Sequence, residues 1–153
     1  MLKKFVSSVL AVFLLCGCGS SEATTTTSKH DAKEMATTIV KNLNLEETMN
    51  EQKERVVNGL FFFDEGEIKD CALYLSSDKS ADVVGVFKTD QMDDSLAKVE
   101  EYVKTMKQMT LNYTPEELFK IDNAVLVHNN DTIILIVCDQ IEDAKQQAEQ
   151  FIK

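Results

Sequence analysis

The 153-residue chain contains no tryptophan, one proline, one arginine and two histidines. Its 16 Lys and Arg residues are outnumbered by 26 Asp and Glu residues, which gives a formal charge of -10. This balance argues against nucleic acid as a partner, because a surface that binds phosphates needs a surplus of basic side chains. The sequence also lacks a glycine-rich phosphate loop, a serine nucleophile elbow and the His/Cys spacing of a metal site. We therefore expect no metal and no cofactor.

The first 17 residues have the pattern of an export signal. Lys3 and Lys4 precede a mostly apolar run at residues 5–15, which would span about 16 Å as a helix. The hydrocarbon core of a bilayer is roughly 30 Å thick, so the run is too short to cross it comfortably. A basic start followed by a short apolar core is typical of a secretory signal peptide.

The residues that follow, Leu15-Cys16-Gly17-Cys18, resemble the lipobox of bacterial lipoproteins. In that class the signal is cut just before a cysteine whose thiol receives a diacylglyceryl group. Cys18 fits this pattern, since the small Gly17 precedes it, whereas Cys16 would place the bulky Leu15 at the cleavage site. The resemblance implies a signal peptide at residues 1–17, lipid attachment at Cys18 and a location on the extracytoplasmic face of the cell membrane. An ordinary signal peptide with an incidental cysteine is the alternative.

Residues 18–30 are predicted to comprise the lipidated Cys18 and a flexible polar linker. A single α+β domain is predicted at residues 31–153. The threonines at residues 24–27 are either plain solvated linker, which we favour, or sites of O-glycosylation. Removal of residues 1–17 takes Lys3 and Lys4 from the formal charge of -10 and leaves -12. So acidic a domain should be repelled by anionic headgroups, and its membrane attachment would depend on the anchor.

The domain begins with two predicted helices. Asp31 and Glu34 have the spacing of an N-cap and its reciprocal partner, and a more polar helix is predicted over residues 46–57, ending at Asn58-Gly59. Two strand-strand-helix units follow. Their strands are predicted at residues 68–75, 82–87, 121–127 and 132–137, and their helices begin at Asp90 and Asp139.

The two units begin their helices alike, with Asp90-Gln91-Met92-Asp93-Asp94 in one and Asp139-Gln140-Ile141-Glu142-Asp143 in the other. This indicates either an internal duplication or the independent use of acids at helix starts. The predicted fold class is α+β, with a four-stranded antiparallel sheet made from the two units. We expect the helices mainly on one face, preceded by the N-terminal helices. Residues 133–137 are apolar throughout, which predicts a central strand.

Four segments of the domain are distinctive: Cys71-Ala72-Leu73-Tyr74, residues 81–88, Tyr113-Thr114-Pro115-Glu116-Glu117, and residues 123–127 with the return strand. Together they resemble a family of bacterial lipoproteins defined by a domain of unknown function, DUF4358. The resemblance covers residues 59–153 and implies an exported, membrane-anchored protein. It carries over no catalytic or binding residue.

Several side chains in the domain are candidates for chemistry. Cys71 and Cys138 could form a disulfide, but each falls on a predicted core face, which favours free buried thiols. The acids at residues 64–67 and 90–94 are interpreted as helix caps and a solvated surface. Tyr113 beside Pro115 is either a ligand-facing corner or, as we favour, a structural tyrosine at a helix start.

These observations predict a lipid-anchored extracytoplasmic domain without enzymatic activity, which binds an envelope protein or a small ligand. The alternative is a small envelope hydrolase that uses Asp and Glu residues. A deep pocket with convergent acids would favour the hydrolase, and a shallow apolar surface would favour binding.

Overall fold

The computed structural model describes residues 30–153, so the predicted signal peptide, Cys18 and all of the predicted linker before His30 lie outside the described residues. Within this range no helix is long and apolar enough to cross a membrane. The elements follow in the order α1 (Ala32–Asn42), β1 (Met49–Glu51), α2 (Glu54–Phe61), β2 (Ile68–Ser76), β3 (Val83–Thr89), α3 (Met92–Tyr113), a 3-10 turn (Pro115–Glu117), α4 (Leu118–Asp122), β4 (Val125–His128), β5 (Thr132–Val137) and α5 (Ile141–Ile152).

The strands form one antiparallel sheet in the order β1-β2-β3-β5-β4. The prediction of an α+β fold with an antiparallel sheet is confirmed. β5 lies between β3 and β4 with all its residues buried, as expected of a strand that is apolar on both faces. Gly85 in β3 leaves room for the ring of Phe87, since a Cβ at that position would lie 2.8 Å from the ring.

The prediction of four strands is wrong, because β1 adds a fifth at one edge. Met49 pairs with Ser76 and Glu51 pairs with Tyr74, in a segment where the sequence predicts helix. A strand of three residues shows no periodicity, and pairing with β2 overrides the local helix propensity. The second helix starts at Glu54 instead and continues through Asn58 and Gly59 to Phe61.

Helices cover both faces of the sheet, and the expectation that they lie mainly on one face is wrong. α1 and α5 pack on one face, against side chains such as Val84 and Ile136. α2, α3 and α4 pack on the other face, against side chains such as Phe87 and Leu135. Residues 133–137 of β5 are apolar and buried on both faces, and each of these faces needs a covering layer.

The structure does not have the symmetry expected of a duplicated unit. A rotation that superimposes the β2-β3 hairpin on the β4-β5 hairpin would bring α3 and α5 to the same face of the sheet. They lie on opposite faces. The similar helix starts at Asp90 and Asp139 are therefore best explained by the local preference for acids at helix N-termini.

The two cysteines of the domain are free. Cys138 belongs to the core that contains α1 and α5, whereas Cys71 packs against the core on the opposite face. The disulfide alternative is wrong for this geometry, because the sheet separates the two thiols.

The N-terminal cap of α1 is confirmed: the Asp31 carboxylate accepts a hydrogen bond from the Glu34 backbone N–H at 2.6 Å. The Glu34 carboxylate does not return to the cap as predicted, and pairs with His30 at 3.1 Å. The chain enters the sheet beside the start of β2 and the end of β3. There Asp70 accepts from the Ala32 N–H, and the Lys88 ammonium donates to the His30 carbonyl.

Candidate ligand-binding groove

A groove of about 610 Å³ lies between α2, the C-terminal half of α3 and the loop that joins β2 to β3. Its volume falls within the range of roughly 300–1,000 Å³ that is usual for small-molecule sites. Apolar and hydroxyl side chains form most of its lining. The lining residues are Gly59, Leu60, Phe62, Lys79, Ser80, Ala81, Tyr102, Thr105, Met106, Met109, Thr110, Tyr113 and Thr114.

One face of α3 supplies half of the groove. Tyr102, Met106, Met109 and Tyr113 follow one another at intervals of three or four residues, which places them on the same side of a helix. The apolar stripe of α3 from Met92 to Met106 packs against the core. Its continuation beyond Met106 lines the groove instead, and Met109 is 57% exposed. This part of the groove was not predicted, although the periodicity of α3 continues unbroken from Met106 to Tyr113.

The Phe61-Phe62-Phe63 run places one aromatic ring at the rim of the groove. Phe61 and Phe63 stack on each other at 5.3 Å, and both pack against Phe87. Phe62 lies between them with a left-handed φ of 55° and a side chain that is 80% exposed. A left-handed backbone is unfavourable for a bulky residue by about 1–2 kcal/mol. The burial of its two neighbours stabilises this strained conformation and turns Phe62 outward.

Tyr113 also faces the groove. Its side chain is 80% exposed, so the preference for a structural tyrosine is wrong and the alternative of a ligand-facing corner fits the structure. Pro115 starts the 3-10 turn that follows and is not part of the lining. Thr114 occupies the N-cap position of this turn, and its side chain makes no hydrogen bond to the turn.

A buried lysine fixes the wall of the groove that the β2-β3 loop forms. The Lys120 ammonium lies 2.9 Å from the Glu117 carboxylate, 3.0 Å from the Asp82 carboxylate and 2.8 Å from Ser80 Oγ. Glu117 also accepts a hydrogen bond from the Ala81 N–H at 2.9 Å. These contacts join α4 and the preceding 3-10 turn to the loop, so the wall is held by charge-assisted hydrogen bonds.

The distance between Ser80 Oγ and Lys120 Nζ is one that a serine–lysine catalytic dyad would have. Such a dyad requires a neutral lysine as its base. Burial acts to lower the pKa of Lys120, but the hydrogen bonds and charges of Glu117 and Asp82 outweigh it and raise that pKa above its ordinary value. The ammonium therefore stays protonated, and this pair serves to hold the loop.

A second acid–lysine cluster lies at the start of α3. The Glu67 carboxylate, 2% exposed, accepts hydrogen bonds from Lys98 at 2.6 Å, from Ser95 at 2.8 Å and from the Asp64 N–H at 2.7 Å. Burial acts to raise the pKa of Glu67, but these hydrogen bonds outweigh it and lower the pKa. The interpretation of residues 64–67 as a solvated surface is wrong for Glu67. Asp93 and Asp94 are exposed in the first turn of α3, as expected.

The Glu67 cluster should make folding stability depend on acid pH. A carboxyl group whose pKa is lowered in the folded state stabilises that state above the unfolded pKa of about 4.3, and this stabilisation is lost as the pH falls through the folded pKa. We expect Glu67→Gln to lower the free energy of unfolding at pH 7. The difference in this free energy between the variant and the wild type should become smaller as the pH falls below about 4. Urea denaturation across this range measures the effect.

Glu65→Gln is the matched control, because Glu65 is an exposed neighbour in the same turn. We expect this variant to follow the wild-type curve. Parallel curves for Glu67→Gln and the wild type at all pH values would contradict the assignment.

The remaining candidates offer little reactivity. Burial raises the pKa of Cys71 and of Cys138 to about 11, so neither thiol is a nucleophile at neutral pH. Among residues 30–153, no group of His, Cys, Asp and Glu side chains is placed to hold a metal ion. Cys18, the predicted lipid attachment site, lies outside the described residues.

A family model described as "Domain of unknown function (DUF4358)" matches residues 41–138. This range contains the complete sheet and every residue that lines the groove. No curated protein and no solved structure matches the chain.

Proposed function

Because the chain belongs to the DUF4358 family, whose description names no activity, we propose a function from its own features. The protein is a lipid-anchored extracytoplasmic domain that acts by binding at the cell envelope, and its binding site is the groove beside α3. The groove itself is the single observation that carries the binding role. The anchor is supported by the lipobox resemblance at Cys18.

The exposed side chains around the groove support a binding role. A monomeric protein rarely keeps large apolar side chains together in contact with water. Here Phe62, Met109 and Tyr113 are all more than half exposed and converge on one concave surface. Methionine and aromatic side chains also provide much contact area with adaptable shapes.

The position of the groove suits presentation from a tether. The chain enters the domain beside the start of β2 and the end of β3, whereas Lys79, Ser80 and Ala81 lie in the loop at the other end of these strands. The seven residues of β3 separate the two ends by about 20 Å. With an anchor at Cys18, the groove would open at the end of the domain that is remote from the tether.

The two clusters of acids favour binding over hydrolysis. A glycoside hydrolase needs one carboxyl group that stays protonated as the general acid. Glu117 and Glu67 are instead paired with lysines, and the pKa of each is lowered. In Glu117 the main cause is the hydrogen bond from the Ala81 N–H, followed by the one from Lys120.

Substitution within the groove tests the proposal. Met109 and Leu111 are both on α3 and are 57% and 58% exposed, but only Met109 lines the groove. We expect Met109→Glu to weaken binding of an uncharged solvatochromic dye roughly tenfold, because a carboxylate replaces an apolar contact worth about 1.5 kcal/mol or more. Leu111→Glu should bind the dye as the wild type does. Fluorescence titration of the full chain carrying Cys18→Ala measures both constants.

Equal dye affinity in the Met109→Glu and Leu111→Glu chains would overturn the assignment of the groove. Thermal unfolding of both variants shows whether either substitution has changed the fold, and both side chains are exposed enough that we expect none.

A further inference from the structure

We infer that the groove takes a single-chain amphiphile with an anionic head group, its apolar chain lying along α3 and its head beside Lys79. This assignment rests on the proposed function and names the ligand class for the same site. The assignment follows from the charge at the groove, from the elongated shape and flexible side chains of its walls, and from the position of the groove relative to the tether.

Charge selects the head group. Lys79 is the one charged side chain among the lining residues, and within residues 30–153 it forms no ion pair. Burial raises the pKa of the Tyr102 phenol to about 12, so this phenol remains neutral at physiological pH. Its position beside the apolar groove distinguishes Lys79 from the other exposed cations. It provides a local partner for a carboxylate or another small anion.

The walls select an unbranched apolar body. Leu60, Met106 and Met109 offer flexible apolar contacts, and unbranched thioether side chains adapt to a chain with many conformers. A second, smaller cavity of about 200 Å³ continues past Phe62 and shares Leu60 and Tyr102 with the groove. Its lining is mostly apolar and also includes Glu101 and Lys98, the latter paired with Glu67. The apolar surface therefore extends on both sides of the Phe62 ring, as an elongated ligand requires.

The source of the ligand is a free monomer and not a bilayer surface. The groove opens at the end of the domain remote from the entering chain, about 20 Å along the strands. An acidic domain is also repelled by an anionic membrane. A single small anion beside Lys79 meets few of these charges, because those beyond a Debye length of about 8 Å are screened. Of the nearby acids, Asp82 and Glu117 are paired with Lys120, and Asp78 is the neighbour of Lys79 in the chain.

Titration with three amphiphiles of equal chain length tests the inference: dodecanoate, dodecanol and dodecyltrimethylammonium, each below its micelle concentration. The protein is the full chain carrying Cys18→Ala. We expect dodecanoate to bind roughly two- to fivefold more tightly than dodecanol, the range for one exposed ion pair, and the cation to bind most weakly. Lys79→Gln should abolish the preference. Lys41→Gln, an exposed lysine on α1 at the opposite face of the sheet, should retain it.

Each of the other possible results would overturn a different part of this proposal. Equal affinity for the three amphiphiles would overturn the anionic head group and leave the groove intact. Dye binding that depends on Met109, without binding of any amphiphile, would overturn the ligand class alone. If the protein binds vesicles of anionic lipid and Lys79→Gln does not, while monomeric dodecanoate does not bind, the claim that the ligand is a free monomer is overturned. If neither dye nor amphiphile binds, the proposed function fails as well.

Discussion

Replacement of Lys120 by methionine should lower the free energy of unfolding by about 3–5 kcal/mol, the usual effect of removing one partner from a buried ion pair. The substitution would leave the carboxylates of Asp82 and Glu117 without their cation, and both are largely buried. Methionine preserves the length of the side chain, so the loss reports charge and hydrogen bonding more than packing. Urea or guanidinium denaturation measures it.

Lys107→Met is the matched control. Lys107 lies 2.6 Å from Asp122, a shorter distance than any carboxylate contact of Lys120. Both members of this pair are about half exposed. Exposed pairs contribute about 0–1 kcal/mol, so this variant should remain close to the wild type. A loss in Lys120→Met no larger than that in Lys107→Met would contradict the role of the buried cluster.

Loss of the Lys120 cluster should also weaken binding in the groove. Its hydrogen bonds hold Ser80 and Ala81 in the groove wall. The Lys120→Met chain should therefore bind the apolar dye more weakly than the wild type under conditions in which it is still folded.

The second large effect is expected from Cys18→Ala. In a bacterial host that processes lipoproteins, the wild-type chain should be recovered from the membrane fraction without residues 1–17 and with the added mass of a diacylglyceryl group. The variant should lack this mass, because no thiol is available for acylation, and should lose the stable attachment that two acyl chains provide. Fractionation followed by mass spectrometry of the intact protein measures both.

Cys16→Ala is the matched control, since Cys16 lies two residues away in the same segment. We expect it to be cut and acylated as the wild type is. Lipid on Cys16, or a bare thiol at Cys18 in the wild type, would contradict the anchor.

The parts of the fold that were predictable are those with a strong local cause. β5 follows from an unbroken apolar run, and the start of α1 follows from the capping spacing of Asp31 and Glu34. β1 was not predictable, because its three residues lie among good helix formers and form a strand only through pairing with β2. Which helices cover which face could not be assigned, because β5 and most of β3 present buried apolar side chains to both faces.

The groove was predictable only in part. The spacing from Met106 to Tyr113 continues the apolar stripe of α3, but periodicity does not reveal that the core ends before the helix does. Phe62 turns outward because of the stacking of Phe61 and Phe63, which is a tertiary effect. The role proposed for Lys79 could not be predicted from the sequence, because it depends on Lys79 being the one charged residue in the lining of the groove.

The most direct measurement of the central claim is the NMR signal of the methionine methyl groups during titration with the uncharged apolar dye. Met106 and Met109 line the groove, whereas Met35 and Met49 lie in the core on the opposite face of the sheet. We expect saturable shifts of Met106 and Met109 together, with Met35 and Met49 unchanged. Shifts at Met35 or Met49 without any at Met106 and Met109, or no shift at all, would contradict it.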